Sequence, residues 1–285
     1  MPAGSAPGAA AGPLRRPREL ARDEASGTPA IALRDVSLWY GRFPALHGIS
    51  FDVPRGEFVS IVGPTGSGKS TVLNMVAGLL PATTGTVQTE GQAVAGINRR
   101  CGYMFQADSL LPWRTAIDNV MLGPILRGAS RRTARRDAQD WLARVGLRGF
   151  ESRYPHHLSG GQRKRVAMAQ VLINEPEILL MDEPFGALDA QTRTLMGDEL
   201  LGLWSELGST VLFVTHDLEE AVALSDRVLL VTSGPQATIR GDYRVGLERP
   251  RKVTDARFLP GFDEIYERVW RDLKEEVMFT YERSR

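Results

Sequence analysis

The sequence predicts an α/β fold in which a buried strand leads through a glycine-rich loop into a helix, and three observations support that prediction. The run Glu57 to Val62 is apolar and β-prone, as a buried strand is, and it leads into a glycine-rich loop. Beyond the loop, apolar residues recur at helical spacing at Val72, Met75, Val76 and Leu79. A second apolar run, Ile178 to Met181, ends in two carboxylates, and the pattern from about residue 107 to residue 165 is helical.

The loop after the first strand has the form GxxxxGK[ST] and reads Gly63-Pro64-Thr65-Gly66-Ser67-Gly68-Lys69-Ser70-Thr71. Its glycines permit a tight turn and a close approach of the backbone to phosphate. The loop also opens a helix, whose free N–H groups and dipole attract anions. Lys69 can reach the β- and γ-phosphates of a nucleotide, and Ser70 can ligate Mg²⁺. A glycine-rich turn that only starts a helix would need neither the lysine nor the hydroxyl.

The two carboxylates, Asp182 and Glu183, follow a strand too apolar to be anything but buried. They therefore lie at its carboxyl end, which is where ligands bind in open α/β sheets. We expect Asp182 to hold the Mg²⁺ shell through water and Glu183 to polarise the attacking water. An acidic helix start would be the better interpretation of such a pair alone, but not beside a complete phosphate-binding loop.

A third motif, Leu158-Ser159-Gly160-Gly161-Gln162, lies between these two. Ser159 can cap a helix that begins near Gly160, and the two glycines leave its N–H groups uncovered for an anion. In this order and spacing the three motifs resemble the ATP-binding cassette (ABC) family, the ATPase subunits of ABC transporters, over roughly residues 30 to 240. The resemblance implies a P-loop NTPase core with an antiparallel β subdomain, whose two short strands run from Ile31 to about Val53, and an inserted α-helical subdomain at about 107–165.

The resemblance also implies the cofactors, ATP and Mg²⁺, and a head-to-tail homodimer with two composite sites. In such a dimer Ser159, Gly160, Gly161 and Gln162 bind the γ-phosphate of ATP held by the second subunit. Further positions match the family pattern: Gln106 as a Mg²⁺- and water-contacting residue, Asp189 as a contact across the dimer, and His216 at the γ-phosphate. Tyr40 matches the aromatic residue that stacks on adenine, with a core aromatic as the alternative.

The stretch Leu110-Leu111-Pro112-Trp113-Arg114-Thr115, followed by Asp118-Asn119-Val120, resembles the importer branch that serves nitrate, sulfonates and taurine. In that branch the segment lines a groove for a short cytoplasmic helix of the membrane subunit. Trp113 would be a good anchor there if it is exposed; alternatively, it packs inside its own subdomain. The implied partners are a membrane permease subunit, a second ATPase subunit and a periplasmic or extracellular substrate-binding protein. The implied location is peripheral, on the cytoplasmic face of the cell (inner) membrane.

Two other functions remain open at this stage. The first is an ABC-type ATPase without a membrane partner, working in repair, translation or cluster assembly. Repair members carry long heptad insertions and translation members carry two cassettes, and the sequence shows neither. The second is a nucleotide switch that does not hydrolyse ATP, against which the intact Glu183 and His216 argue.

Composition sets outer bounds on these interpretations. The 285 residues are 42% hydrophobic and 24% charged, with a formal net charge of +1, which gives no reason to expect a nucleic acid partner. No apolar run reaches the roughly 18 residues that suggest a membrane span. Cys101 is the single cysteine, so no intramolecular disulfide can form.

The flanking segments differ from the middle of the chain. Residues 1–29 are rich in Ala, Gly and Pro, and we predict a disordered tail. Residues 30–240 form the predicted ATPase domain. Residues 241–285 form a C-terminal extension with an amphipathic helix, whose apolar stripe is Ile265, Val269, Leu273 and Val277. This helix docks on its own domain or, alternatively, takes part in pairing. The basic cluster from Arg127 to Arg136 is a solvated helix face or, less favoured, a binding patch.

Overall fold

Ten β-strands and nine α-helices make up the part of the chain that the computed structural model describes, residues 27 to 283. The predicted tail therefore lies, up to residue 26, outside the described residues. The strands are β1 (Ile31–Tyr40), β2 (Phe43–Val53), β3 (Phe58–Val62), β4 (Thr84–Thr89), β5 (Gln92–Ala93), β6 (Cys101–Met104), β7 (Ile178–Asp182), β8 (Thr210–Val214), β9 (Arg227–Val231) and β10 (Ile239–Arg244). The helices are α1 (Lys69–Val76), α2 (Ala116–Val120), α3 (Leu122–Leu126), α4 (Arg131–Arg144), α5 (Gly160–Leu172), α6 (Ala190–Leu207), α7 (Leu218–Leu224), α8 (Val253–Ala256) and α9 (Phe262–Arg283).

The central sheet has six strands in the order β10-β9-β3-β8-β7-β6. All neighbours in it run parallel except β10, which is antiparallel to β9 at the edge. Strands β3, β8 and β9 are buried along their whole length, which explains their mostly apolar sequences. Because β3, β8, β7 and β6 are adjacent and parallel, the segments that follow them meet at one edge of the sheet.

A second, antiparallel sheet has the order β2-β1-β4-β5. Strands β1 and β2 are 10 and 11 residues long, longer than the short strands that we expected, and their pairing contains register shifts after Leu33, Val36 and Leu38. This sheet shares one core with α1 and the central sheet, in which Leu46, Ile61 and Val72 are fully buried. The predicted fold class, a P-loop α/β core with an antiparallel subdomain, is confirmed.

Helices α2 to α5 lie between β6 and β7 and pack around Trp141, Leu142 and Met168. Within this region the buried Asn119 amide donates to the carbonyls of Leu111, Arg114 and Thr115 and accepts from the Leu111 N–H at 2.7 Å. Asn119 thus holds the loop that carries Trp113. The side chain of Trp113 is 71% exposed, so the alternative in which it packs inside its own subdomain is wrong.

The α9 helix docks on the chain's own domain, as predicted, through Phe262, Ile265, Val269 and Leu273. The prediction for Val277 is wrong, because this side chain is 42% exposed. Steps of four residues advance by about 40° each around a helix of about 3.6 residues per turn, so the stripe rotates away from the core. The inward position one turn after Leu273 is taken by Glu276, which is 8% exposed.

Three further predictions concern the basic cluster, the single cysteine and membrane spans. The arginines of α4 from Arg131 to Arg136 are exposed, as a solvated face requires. Cys101 is a free, partly buried thiol, and burial raises its pKa to about 12. Between residues 27 and 283, no helix combines the length and apolarity needed to cross a membrane. The numerical domain boundaries stay predictions.

Candidate functional site

The phosphate-binding loop, residues 63 to 68, connects β3 to α1, and Lys69 is the first residue of that helix. Lys69 Nζ donates to the carbonyl oxygens of Gly63 and Pro64, both at 2.9 Å, and lies 3.4 Å from Ser67 Oγ. Burial lowers the pKa of Lys69, and the nearby carboxylates Glu183 and Asp182 act in the opposite direction. The Lys69 ammonium is therefore held at the loop by the two carbonyl oxygens.

Ser70 and Asp182 come together although 112 residues separate them. Ser70 Oγ donates to Asp182 Oδ1 at 2.8 Å, and Asp182 is the last residue of β7. Burial raises the pKa of Asp182, while the bond from Ser70 lowers it. A hydroxyl and a carboxylate are hard oxygen donors of the kind that Mg²⁺ uses together with water and phosphate, so these residues fit that ion.

Glu183 follows directly and has a φ of +43°, an uncommon value for a residue other than glycine and one that is often found at functional sites. Gln106 Nε2 lies 3.3 Å from Glu183 Oε2, and His216 Nδ1 lies 3.1 Å from the same oxygen. The three residues predicted for catalysis come from segments that follow β6, β7 and β8, and Gln106 and His216 both contact Glu183.

The signature motif begins α5. Ser159 is the N-cap residue, as the sequence predicts; its Oγ accepts from the Gln162 N–H at 3.2 Å, and Gln162 Oε1 accepts from the Ser159 N–H at 2.9 Å. The Gln162 side chain thus shapes the helix start. Ser159 is exposed, so the motif is available to a group outside this chain.

Two further predicted residues also lie on exposed surface. Asp189 caps α6 by accepting from the Thr192 N–H at 2.9 Å. Tyr40 ends β1 beside Phe43 and is 52% exposed, so the alternative of a core aromatic is wrong. Its stacking on adenine and the contact of Asp189 across a dimer stay predictions.

One cluster of charged side chains near Gln106 was not predicted from the sequence. Lys164, buried on α5, donates to the Gln106 carbonyl oxygen at 2.6 Å and pairs with Asp108 at 3.1 Å. Arg163 Nε also donates to Asp108, and its Nη1 donates to the Leu158 carbonyl oxygen. The cluster ties the segment of Gln106 to the signature helix. Its only trace in the sequence is the run of three basic residues directly after Gln162.

Comparison with known proteins places this geometry in a family. A family model described as ABC transporter matches residues 46–186. The aliphatic sulfonates import ATP-binding proteins of Cupriavidus necator and Escherichia coli are 44% and 45% identical to this chain, covering 86% and 85% of it and 79% and 91% of the relatives. An uncharacterized ABC transporter ATP-binding protein of Methanocaldococcus jannaschii is 44% identical over 83% of this chain and 87% of its own length.

Solved structures agree with these relatives. A dimeric ATP-binding cassette in a post-hydrolysis state, bound to ADP and Pi, has a TM-score of 0.68 and 35% identity over 75% of this chain and 98% of that one. A subunit of the ABC transporter complex cbiONQ from Clostridium perfringens has a TM-score of 0.69 and 26% identity over 76% of this chain and 89% of that one. The chain therefore belongs to the family of ABC transporter ATPases.

Proposed function

We propose that this chain is the ATP-hydrolysing subunit of an importer for a small organic anion, with an alkyl sulfonate as the first candidate substrate. The observation that carries the proposal is the 44–45% identity, over about 85% of the chain, to proteins named for aliphatic sulfonate import. Nitrate, an inorganic anion, and taurine, a zwitterion that carries a sulfonate group, are the next candidates, because each is small and presents negatively charged oxygens. The alternative of an ABC ATPase without a membrane partner has no support among these relatives.

The proposed chemistry uses the residues at the edge of the central sheet. Lys69 and the loop N–H groups bind the β- and γ-phosphates, while Ser70, Gln106 and Asp182 would hold Mg²⁺. When bound, the ion neutralises charge that develops on the phosphate oxygens. Glu183 orients the attacking water and accepts its proton. His216 contacts Glu183 through Nδ1, so Nε2 is the ring nitrogen that would face the γ-phosphate.

We further propose that the active unit is a homodimer with two composite sites. Ser159 is exposed at the start of α5, and the N–H groups of that helix start can bind an anion. One similar solved structure is described as dimeric. In the proposed arrangement, the signature of each subunit completes the phosphate-binding loop of the other.

The proposed membrane partner is a permease subunit, which contacts the loop held by Asn119. Trp113 is exposed there, while the backbone on either side of it, at Leu111 and Arg114, is held by hydrogen bonds to the buried Asn119 amide. A rigidly presented tryptophan is a typical anchor of a protein interface. With a permease bound, the chain lies on the cytoplasmic face of the membrane, and a separate substrate-binding protein delivers the anion from the other side.

Transport is tested by deleting the gene in its host and measuring growth on ethanesulfonate, taurine, sulfate or nitrate as the sole source of sulfur or nitrogen. We expect a growth defect on ethanesulfonate that the native gene corrects and a Glu183→Gln gene does not. Normal growth on all the anions would contradict the proposal.

The permease contact is tested with Trp113→Ala, which should keep ATPase activity and lose co-purification with the permease. The control is Phe258→Ala, at a side chain that is 80% exposed elsewhere on the surface, which should keep both.

A further inference from the structure

The loop between β9 and β10, residues 232–238, lies beside the phosphate-binding loop. A Cβ atom placed on Gly63 would lie 2.5 Å from the carbonyl oxygen of Val231, the last residue of β9 before the β9–β10 loop. A Cβ placed on Gly234 would lie 3.4 Å from the carbonyl oxygen of Gly66. Gly63 is therefore packed tightly against the end of β9, and Gly234 lies beside Gly66 with little space between them. A shift of the β9–β10 loop would change the space available to the phosphate-binding loop.

The same β9–β10 loop also holds the start of β2, close to the hairpin that carries Tyr40. The N–H groups of Gln236 and Ala237 donate to the carbonyl oxygens of Pro44 and Ala45, at 2.8 and 3.1 Å. The backbone N–H of His47 donates to the Ala237 carbonyl oxygen at 2.9 Å. One loop thus contacts both segments that are predicted to hold the nucleotide.

The β9–β10 loop is in turn fixed by one carboxylate from α9. Glu276 Oε2 accepts from the Ser233 N–H at 2.9 Å and from Ser233 Oγ at 3.2 Å, while Oε1 accepts from Arg240 Nη1 at 2.5 Å. Glu276 and Ser233 are 8% and 9% exposed. Burial acts to raise the pKa of Glu276, but the bonds from Ser233 and Arg240 outweigh it, and the pKa lies below its usual value. The carboxylate is therefore charged at neutral pH and uses both of its oxygens.

We propose that Glu276 is a positioning residue for nucleotide binding: through Ser233 it fixes the β9–β10 loop against the phosphate-binding loop, so that the C-terminal helix sets part of the nucleotide affinity. The inference rests on the proposed use of the phosphate-binding loop as the ATP site. It predicts that ATP and ADP are affected equally, because the loop holds phosphates that both nucleotides carry.

Calorimetric titration of Glu276→Gln with MgATP and MgADP tests the proposal. An amide has one acceptor oxygen where the carboxylate has two, so either Ser233 or Arg240 meets an NH₂ group. Arg240 stays paired with Glu275, which keeps the substitution local. We expect both dissociation constants to rise roughly tenfold, within the usual range for coupled sites. Glu267→Gln, on the exposed face of α9, is the matched control and should bind as the native chain does.

Hydrogen–deuterium exchange separates positioning from general damage. Positioning predicts faster exchange in residues 232–238 and 63–68, with native exchange in the first three turns of α9. Unchanged affinity for both nucleotides, or uniformly faster exchange, would overturn the proposal. If Glu276→Gln does not fold, Ser233→Ala removes only the hydroxyl bond and should raise both constants about twofold to threefold. If Lys69→Ala binds MgATP normally, the assignment of the nucleotide site fails instead.

Discussion

Glu183 Oε2 lies 3.1 Å from His216 Nδ1, although 33 residues separate the two side chains along the sequence. The contact follows from the topology, because β7 and β8 are parallel neighbours in which Asp182 pairs with Val214. The residues just beyond this pair therefore leave the sheet side by side. Parallel strands have brought an acid and an imidazole to one place without any local sequence relationship between them.

Replacing Glu183 with Gln should leave nucleotide binding intact and remove turnover. The amide has nearly the same size but cannot accept a proton from water, and loss of a general base typically costs about 10²- to 10⁴-fold in rate. Phosphate release and ATP retention are measured on the same sample. The control is Glu264→Gln, on the exposed face of α9, which should turn over as the native chain does. Near-native turnover of Glu183→Gln would mean that another group activates the water.

Replacing Lys69 with Ala should weaken MgATP binding. Its ammonium is the only positive side chain that donates to the phosphate-binding loop in the described part of the chain, and charge-assisted contacts to phosphate are strong. We expect the affinity to fall roughly 10- to 100-fold, corresponding to the loss of about 1.5–3 kcal/mol. Calorimetry gives the constant, and Lys274→Ala, at an exposed lysine of α9, is the control. Equal affinities in the two variants would place the nucleotide elsewhere.

The parts of the site that could be predicted from the sequence are those set by local patterns. The strand before Gly63 and the helix after it show their own hydrophobic periodicity, and Ser159 with Gln162 forms a cap within four residues. The bond from Lys164 to the Gln106 carbonyl oxygen joins residues 58 positions apart, and the basic residues after Gln162 do not indicate which partner they contact. Tertiary packing alone decides which distant charges meet.

The C-terminal helix shows a different limit. Its apolar residues predicted that it docks, and it does, but counting in steps of four placed Val277 inward. A charged residue at an inward position is rare unless it is paired. Glu276 can face inward because Ser233 and Arg240 pair with it, and those partners come from the β9–β10 loop and from β10. The contacts of Glu276 therefore could be identified only from the three-dimensional structure.

Glu220 should make the stability of the protein depend on pH. Burial raises the pKa of Glu220 from 4.5 to about 7, although a bond from the Thr215 hydroxyl opposes the shift. Between those values the folded state keeps a proton that the unfolded chain releases, so the free energy of unfolding falls as pH rises from about 4.5 through 7. The loss amounts to roughly 3 kcal/mol at most.

Glu220→Gln is neutral at every pH and should remove this dependence. Its melting temperature, relative to the native chain, should therefore be higher at pH 8 than at pH 5. The adjacent Glu219→Gln is the control, because that side chain is exposed and its difference from the native chain should not change between the two pH values. A constant difference for Glu220→Gln as well would show that this carboxylate titrates normally.

The composite site gives the last prediction, which concerns two damaged subunits that repair each other. Ser159→Arg blocks the signature and leaves the phosphate-binding loop intact, and Lys69→Ala does the reverse. Each variant alone should be inactive, since every site of its homodimer carries one defect. A mixed dimer has one site with both defects and one with neither, so it should recover part of the native ATPase rate.

A second experiment adds Glu183→Gln to both subunits, so that the mixed dimer is trapped with MgATP. It proves that mixing occurs and maps the Ser159 contact. A cross-link from Ser159 to γ-phosphate held by the other chain is the expected result. If mixed dimers form but neither hydrolyse ATP nor show that contact, or if the contact lies within one chain, the two sites are not shared between subunits.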